Sequence, residues 1–178
     1  MSTWLGTGGI LLALAAAVAL AVQGFRVFRG AAPPSSMRRP VYLLAGGALA
    51  AMLALELGLL TNDFSVSYVA NHHRSTTPLV FAIATAWAAL EGSIVLWGLV
   101  LAGYILLVHR AVSRRGFDRL GAGALAVMAL VAVFFFGLMA TAANPFRVLE
   151  VVPVDGRGPN ALLQNNILMA VHPPLLYL

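Results

Sequence analysis

Four stretches of this chain run for about 20 residues on almost nothing but apolar side chains. That length and polarity fix the solvent in which it folds. Residues 4–22 and 120–140 hold no charged group, residues 41–60 hold only Glu56, and residues 79–108 hold only Glu91. In hydrocarbon each backbone N–H and C=O must be satisfied within its own segment, so such runs form helices. The expected fold is an all-α integral membrane protein, a polytopic helix bundle with four full transmembrane helices. A fifth apolar run begins near Ile167. The first run has no positive residue before it and is too long for a signal-peptide core, so it reads as a true span. The run 79–108 would be about 45 Å long as one straight helix, against a hydrocarbon core of about 30 Å. It is therefore divided: residues 78–90 are expected to form an amphipathic or re-entrant outer helix, "EGS" marks the break, and residues 93–108 form the third span.

Charge orients these spans. All eleven basic residues are arginine. Arg26, Arg29, Arg38 and Arg39 lie between the first two spans, and Arg110, Arg114, Arg115 and Arg119 between the third and fourth. Only Arg74, Arg147 and Arg157 lie in the opposite loops. By the positive-inside rule the arginine-rich loops face the cytoplasm. The N-terminus and the two longer, motif-like loops are then outside. The net charge of +5 serves orientation beside a lipid membrane, and nucleic acid is not an expected partner. With no cysteine, disulfides and thiolate metal sites are excluded.

Few residues could carry chemistry. His172, in "ILMAVHPPLLYL", is the leading candidate. Imidazole is the commonest transition-metal ligand, haem iron commonly takes an axial histidine, and an ionisable group in an apolar run tends to be functional. Proline is tolerated in a first helical turn, so a helix starting at "HPP" would hold His172 at its outer end. The competing reading is an interfacial histidine that only caps that helix. His72 and His73 are adjacent, so they do not share a helix face; they read as solvated loop residues. His109 reads as a structural group at a helix end, where a cation suits the dipole. Glu91, between Trp87 and Trp97, could cap the third span or serve as an acceptor at a haem or partner surface. Glu56 could snorkel or pair with an arginine. Arg147 and Arg157 could grip propionates through their forked donors, or pair with Glu150 and Asp155.

Two blocks resemble a known family. "TNDFSVSYVANHHRSTTPLVFAIATAWAALEGSIVLW" and "NPFRVLEVVPVDGRGPNALLQNNILMAVHPPLLYL" are similar to the outer regions of CcmF-type cytochrome c haem lyases. The family patterns are N-D-F-S-V-x-Y-V-A with E-G-S-L-L-L-W, then N-P-F, D-G-R-D-L-N-P-L-L-Q and H-P-P-L-L-Y-M-G-Y-V-G. The blocks occur in the family's order, and the resemblance covers residues 41–178. It implies a part in cytochrome c maturation. Haem would be received from a periplasmic haem chaperone and joined to an apocytochrome c bearing C-x-x-C-H, alongside other maturation proteins of the bacterial inner membrane. It implies that His172 is an axial ligand to a b-type haem, with Arg147, Arg157, Glu91 and Trp97 as weaker candidates for contact with it. No catalytic residue is identified.

There are departures. Ala88 stands where the family often has glycine, Leu90 where some members have histidine, Gly158 and Pro159 replace D-L, and Ala161 replaces a proline. The family's tryptophan-rich W-W-D segment, its two outer histidines and its second membrane histidine all lie downstream of H-P-P-L-L-Y. The chain is therefore expected to be an N-terminal fragment or one half of a split protein. The second haem ligand and most of the lyase chemistry would then be supplied elsewhere. Three alternatives stay open: a proton- or solute-translocating subunit using Glu56 and Glu91, a cytochrome c synthase of the other assembly system, and a scaffold for maturation proteins.

Overall fold

The computed structural model describes residues 2–161 and 168–176. Four of its helices are long and apolar enough to cross a membrane. These are α1 (Ser2–Phe28), α2 (Arg38–Leu60), α5 (Leu90–Arg115) and α6 (Arg119–Ala140). A 3₁₀ turn, Pro34–Met37, leads into α2. Three short helices, α3 (Ser67–His72), α4 (Leu79–Thr85) and α7 (Leu168–Leu176), complete the order. Among the described residues there is no strand, only one antiparallel bridge between Val66 and Val148. Residues 162–167, where "LLQNN" and Ile167 fall, and residues 177–178 lie outside the described residues.

The long helices form a closed ring in the order α1, α2, α5, α6, with α6 returning to α1. Apolar burial cannot hold helices together in lipid, because the tails are as apolar as leucine; close backbone approach does. Small residues make that approach. A Cβ on Gly9 would lie 2.8 Å from the Gly47 carbonyl, and one on Gly47 would lie 2.7 Å from the Gly9 carbonyl. Ala13, Ala17, Ala48 and Ala51 are buried beside them. At the α1–α6 contact a Cβ on Gly24 would lie 2.9 Å from that of Ala126. The alanine and glycine of these spans are thus the packing surface, while leucines such as Leu11, Leu49, Leu53 and Leu130 face outward.

The spans run longer than the apolar segments that foretold them. α1 reaches Phe28 and carries Arg26 in its last turn, and α5 extends through Arg114 and Arg115. A long arginine stem lies along apolar surface while its head reaches water, so charge at the helix end does not stop the helix. The break in the run 79–108 falls at residues 86–89, ahead of "EGS". α4 is a seven-residue helix after Pro78, and α5 already starts at Leu90.

No local breaker occupies that position; Tyr68, from α3, makes the break. Its hydroxyl donates to the Thr85 carbonyl at 2.7 Å and accepts from the Ala89 N–H at 3.3 Å. It thereby satisfies groups that the end of one helix and the start of the next leave without partners. Gly92 of "EGS" makes room for this. A Cβ there would sit 2.1 Å from the Ala86 carbonyl and 2.3 Å from the Tyr68 hydroxyl.

Candidate functional site

The two motif blocks, some 80 residues apart in sequence, zip together into one cap over the end of the bundle that holds the N-terminus. Ser67 N–H donates to the Arg147 carbonyl at 2.7 Å and Leu149 N–H to the Ser65 carbonyl at 3.0 Å, flanking the Val66–Val148 bridge. Farther along, Arg157 N–H donates to Ala70 at 2.9 Å and Gly158 N–H to His73 at 3.2 Å. Asp155 accepts from the backbone and hydroxyl of Ser75 at 2.9 and 3.0 Å. Arg74 donates to the carbonyls of Gly156 and Arg157. Gly156 of "DGRG" is essential to this closeness: a Cβ there would lie 1.9 Å from the His73 carbonyl.

"TND" has an equally local cause. Asn62 takes φ +55°, a conformation asparagine tolerates better than most residues. With Asn62 N–H on Leu59 and Asp63 N–H on Gly58, the pattern is a Schellman cap closing α2. Asp63 then accepts from the hydroxyls of Ser2 and Ser65, tying α1 to the cap. These hydrogen bonds, Ser2 first, hold its carboxyl below the usual carboxylate range.

The histidines differ from the sequence expectation. His73 is not solvated: it is 3% exposed, and Asn62 Oδ1 lies 2.9 Å from its Nε2. The asparagine oxygen accepts, so the proton sits on Nε2. Nδ1 is then a buried acceptor with no partner. Burial lowers the imidazole's affinity for a proton, against a smaller opposing pull from Asp155. His72 ends α3 half-buried, with Nδ1 3.0 Å from the Tyr68 carbonyl and its ring tilted on the Tyr68 ring at 4.6 Å. His109 lies within α5, not in its last turn, and is 7% exposed. It sits edge-on to Tyr42 and Phe117. The cations that complement the helix end are Arg114 and Arg115.

Two hollows open in the cap. One, of about 70 Å³, is lined by Tyr68, His72, Glu91, Asn144 and Arg147 among others. It gathers two of the sequence-selected residues, Glu91 and Arg147, around the buried Tyr68 phenol. Burial raises that phenol's pKa, and the Glu91 and Glu56 carboxylates raise it further. Glu91 lies in the first turn of α5, where a negative charge suits the helix dipole. Arg147 does not pair with a carboxylate as one reading expected. It donates to the Thr141 and Ala142 carbonyls at 3.1 and 2.9 Å, capping the end of α6. The other hollow, of about 250 Å³, sets Arg157 beside Arg74, Thr76 and Thr77. Asp155, one suggested partner of Arg157, is engaged by Ser75 instead.

Trp97 is drawn into neither hollow; half-buried on α5, its ring lies tilted on that of Phe135 of α6, centroids 4.0 Å apart. Glu56 keeps a buried carboxylate oxygen, Oε2, without a hydrogen-bond partner, so that oxygen makes no arginine contact, one of the two readings open for it. His72 and His73 were read from sequence as solvated loop residues, and Tyr68 and Arg74 were not singled out. The signal that could have found them is the asparagine after α2 and the glycine of "DGRG", each a mark of crowded backbone.

His172 lies inside α7, not at its start, with Pro173 and Pro174 continuing the helix. The prolines lack N–H groups but impose a helical φ. α7 rests on the break between α4 and α5. Trp87 Nε1 donates to the Ala170 carbonyl at 2.7 Å, and Ala170 is buried against Ala84. His172 itself is exposed, as are Leu168, Val171, Leu175 and Leu176.

No family model matches the chain. It is 37% identical over 177 residues to the cytochrome c-type biogenesis protein CcmF of Escherichia coli (strain K12), covering 98% of this chain and 27% of that protein. Identity to CcmF of Pseudomonas fluorescens is 36%, over 98% and 26% of the two. Identity to the cytochrome c-type biogenesis protein NrfE of Haemophilus influenzae is 33%, over 94% and 26%. A solved structure described as cytochrome c heme lyase CcmF superposes with a TM-score of 0.83 at 39% identity, over 99% of this chain and 28% of that one. The chain thus spans about a quarter of the length of the curated relatives it matches.

Proposed function

This chain corresponds in sequence and fold to the N-terminal part of the CcmF-type cytochrome c biogenesis proteins, and from that premise we propose that it is the N-terminal membrane part of a cytochrome c haem lyase. In this reading it lies in a bacterial inner membrane with the cap on the periplasmic side. It works in cytochrome c maturation with a periplasmic haem chaperone, apocytochrome c and other maturation proteins of the membrane.

His172 is its axial ligand to a b-type haem. The observation that carries this is the setting of His172: one exposed imidazole on an otherwise apolar helix that Trp87 fixes to the cap. Leu168, Val171 and Leu175 flank it at helical spacing, which suits the flat apolar face of a porphyrin. Among the described residues no group of three or more His, Cys, Asp or Glu could hold a metal ion. A haem brings four ring nitrogens of its own, so a single histidine suffices to hold its iron. Bound there, the haem would supply redox-active iron and the vinyl groups joined to cytochrome c. The residues here position: α7 presents the imidazole, Trp87 fixes the helix, and the cap arginines, Arg74, Arg147 and Arg157, offer donors for carboxylates.

The test is an absorption spectrum of protein purified from membranes, taken on the chain alone and with the remaining part of a CcmF-type relative supplied as a second polypeptide. The pair is expected to show a reduced b-type spectrum that His172→Ala abolishes or shifts. A spectrum indifferent to His172 would overturn the assignment.

A further inference from the structure

The opposite end of the bundle carries a second site, independent of the haem reading. Two hollows there share Arg38, His109 and Ser113 as a common wall. One, of about 220 Å³, adds Pro34, Ser35 and Phe117. The other, of about 310 Å³, adds Tyr42, Arg110 and Arg114. Three arginines therefore line these hollows, and no carboxylate lines either among the described residues. The nearby Asp118 is taken up capping α6 through the Gly121 N–H at 2.7 Å.

Three further features point to an anion. Arg38 opens α2, a 23-residue helix whose N-cap, Met37, gives no side-chain cap. Its first turn thus directs the positive end of the helix dipole at this end, with the Arg38 N–H itself bonded back to the Ser35 carbonyl. Ser35 and Ser113 bring hydroxyl donors. His109 lines both hollows and is 7% exposed, and its Nδ1 is buried without a hydrogen-bond partner. An unpartnered buried nitrogen is costly.

The surroundings are apolar. Tyr42 lies against Arg110, 5.9 Å from ring centroid to guanidinium carbon. Leu49 and Leu53 follow Arg38 and Tyr42 along the same face of α2, both exposed, as is Leu107 of α5. A ligand seated here meets cations at one end and a hydrocarbon-facing surface at the other.

We propose that this end of the bundle binds a phosphate ester, presented as the headgroup of an anionic membrane lipid. Arg38, Arg110 and Arg114 neutralise the phosphate, Ser113 donates to it, and the acyl chains lie along Leu49 and Leu53. Basic pockets between spanning helices suit such headgroups.

The test measures lipid binding to the full 178-residue chain in detergent by native mass spectrometry. The probes are phosphatidylglycerol, phosphatidylcholine and glycerol 3-phosphate. Phosphatidylglycerol is expected to bind at least roughly tenfold tighter than phosphatidylcholine. Arg38→Gln with Arg114→Gln should weaken it by roughly 30-fold, at ~1 kcal/mol per basic residue. Ser113→Ala, which changes no charge, should weaken it about fivefold through one lost hydrogen bond. Arg29→Gln with Arg39→Gln removes the same charge from the same end, outside the hollows, and should change affinity less than about twofold at moderate salt. An equal loss in that second pair would overturn the site in favour of diffuse attraction. Equal binding of the two lipids would overturn it too. Displacement of lipid by glycerol 3-phosphate at equal affinity would keep the phosphate chemistry and overturn the lipid as its source.

Discussion

The two ends of the bundle are built on opposite principles. At the cap end, chain segments far apart in sequence satisfy one another: Ser75 meets Asp155, Arg74 meets the Gly156 and Arg157 carbonyls, and Tyr68 bridges two helices. At the arginine-rich end the connections are short, each closing between neighbouring helices, and three arginines line hollows with no carboxylate among the described residues. A closed cap holds a shape by itself and can present α7 and its histidine at a set place. The two ends thus differ in how far their polar groups are satisfied within the chain.

Crowding at the cap gives the largest expected effect. Gly156→Ala would drive a Cβ into the His73 carbonyl, and Gly92→Ala into the Ala86 carbonyl and the Tyr68 hydroxyl. Each is backbone-limited overpacking, expected to cost about 1–3 kcal/mol or more. It should appear as a lower thermal midpoint in detergent and loss of amide protection across the cap. Gly103→Ala, where nothing lies within 4 Å, is the matched control and should leave the midpoint unchanged or raise it. If Gly156→Ala behaves like Gly103→Ala, the two motif blocks do not pack as described.

Asn62 separates backbone from side chain. Asn62→Ala places a less tolerant residue at φ +55° and removes the oxygen that accepts from His73. The expected cost is about 1–2 kcal/mol. Asn62→Gly should recover the backbone part only, leaving protection at the α2 C-terminus intact while the His73 region stays loosened. Hydrogen exchange resolved by residue distinguishes the two.

Acid gives the smallest effect, and at the cap it should come in two steps. Burial depresses the His73 pKa, so the folded chain binds fewer protons there than the unfolded chain. The neutral imidazole's contribution is complete above about pH 6.5 and is lost as pH falls through the folded value. Asp63 is also depressed, by its serine hydrogen bonds, and Asp155 by those from Ser75. Their contributions are present above about pH 3.9 and are lost as pH falls through their lower folded values. Protection factors of the Arg157 and Gly158 amides should therefore decline in two steps, with His73→Leu removing the first. A single step, or two steps left unchanged by His73→Leu, would show that His73 does not titrate as part of the cap.

Much of the molecule was legible beforehand because membrane physics is local. A long uncharged run must be a helix, and arginine placement sorts the loops into two sets. The spans and the motif blocks are carried by residues close in sequence. Hidden from sequence were the contacts between segments some 80 residues apart. His73 looked solvated because its neighbours are polar; the "DGRG" loop buries it. His109 looked like a cation at a helix end because Arg110 follows it, yet Tyr42 and Phe117 enclose it.

The sequence by itself determined the solvent, the number of spans and the residues that resemble a haem-handling family. The tertiary structure alone decided where the third span begins, which histidines are buried, and which arginines share a hollow. The reason is physical. Hydrophobic length and charge act on each segment separately, so they can be read along the chain. A helix break such as that at residues 86–89 depends on a hydroxyl arriving from Tyr68, and no pattern local to the break records it.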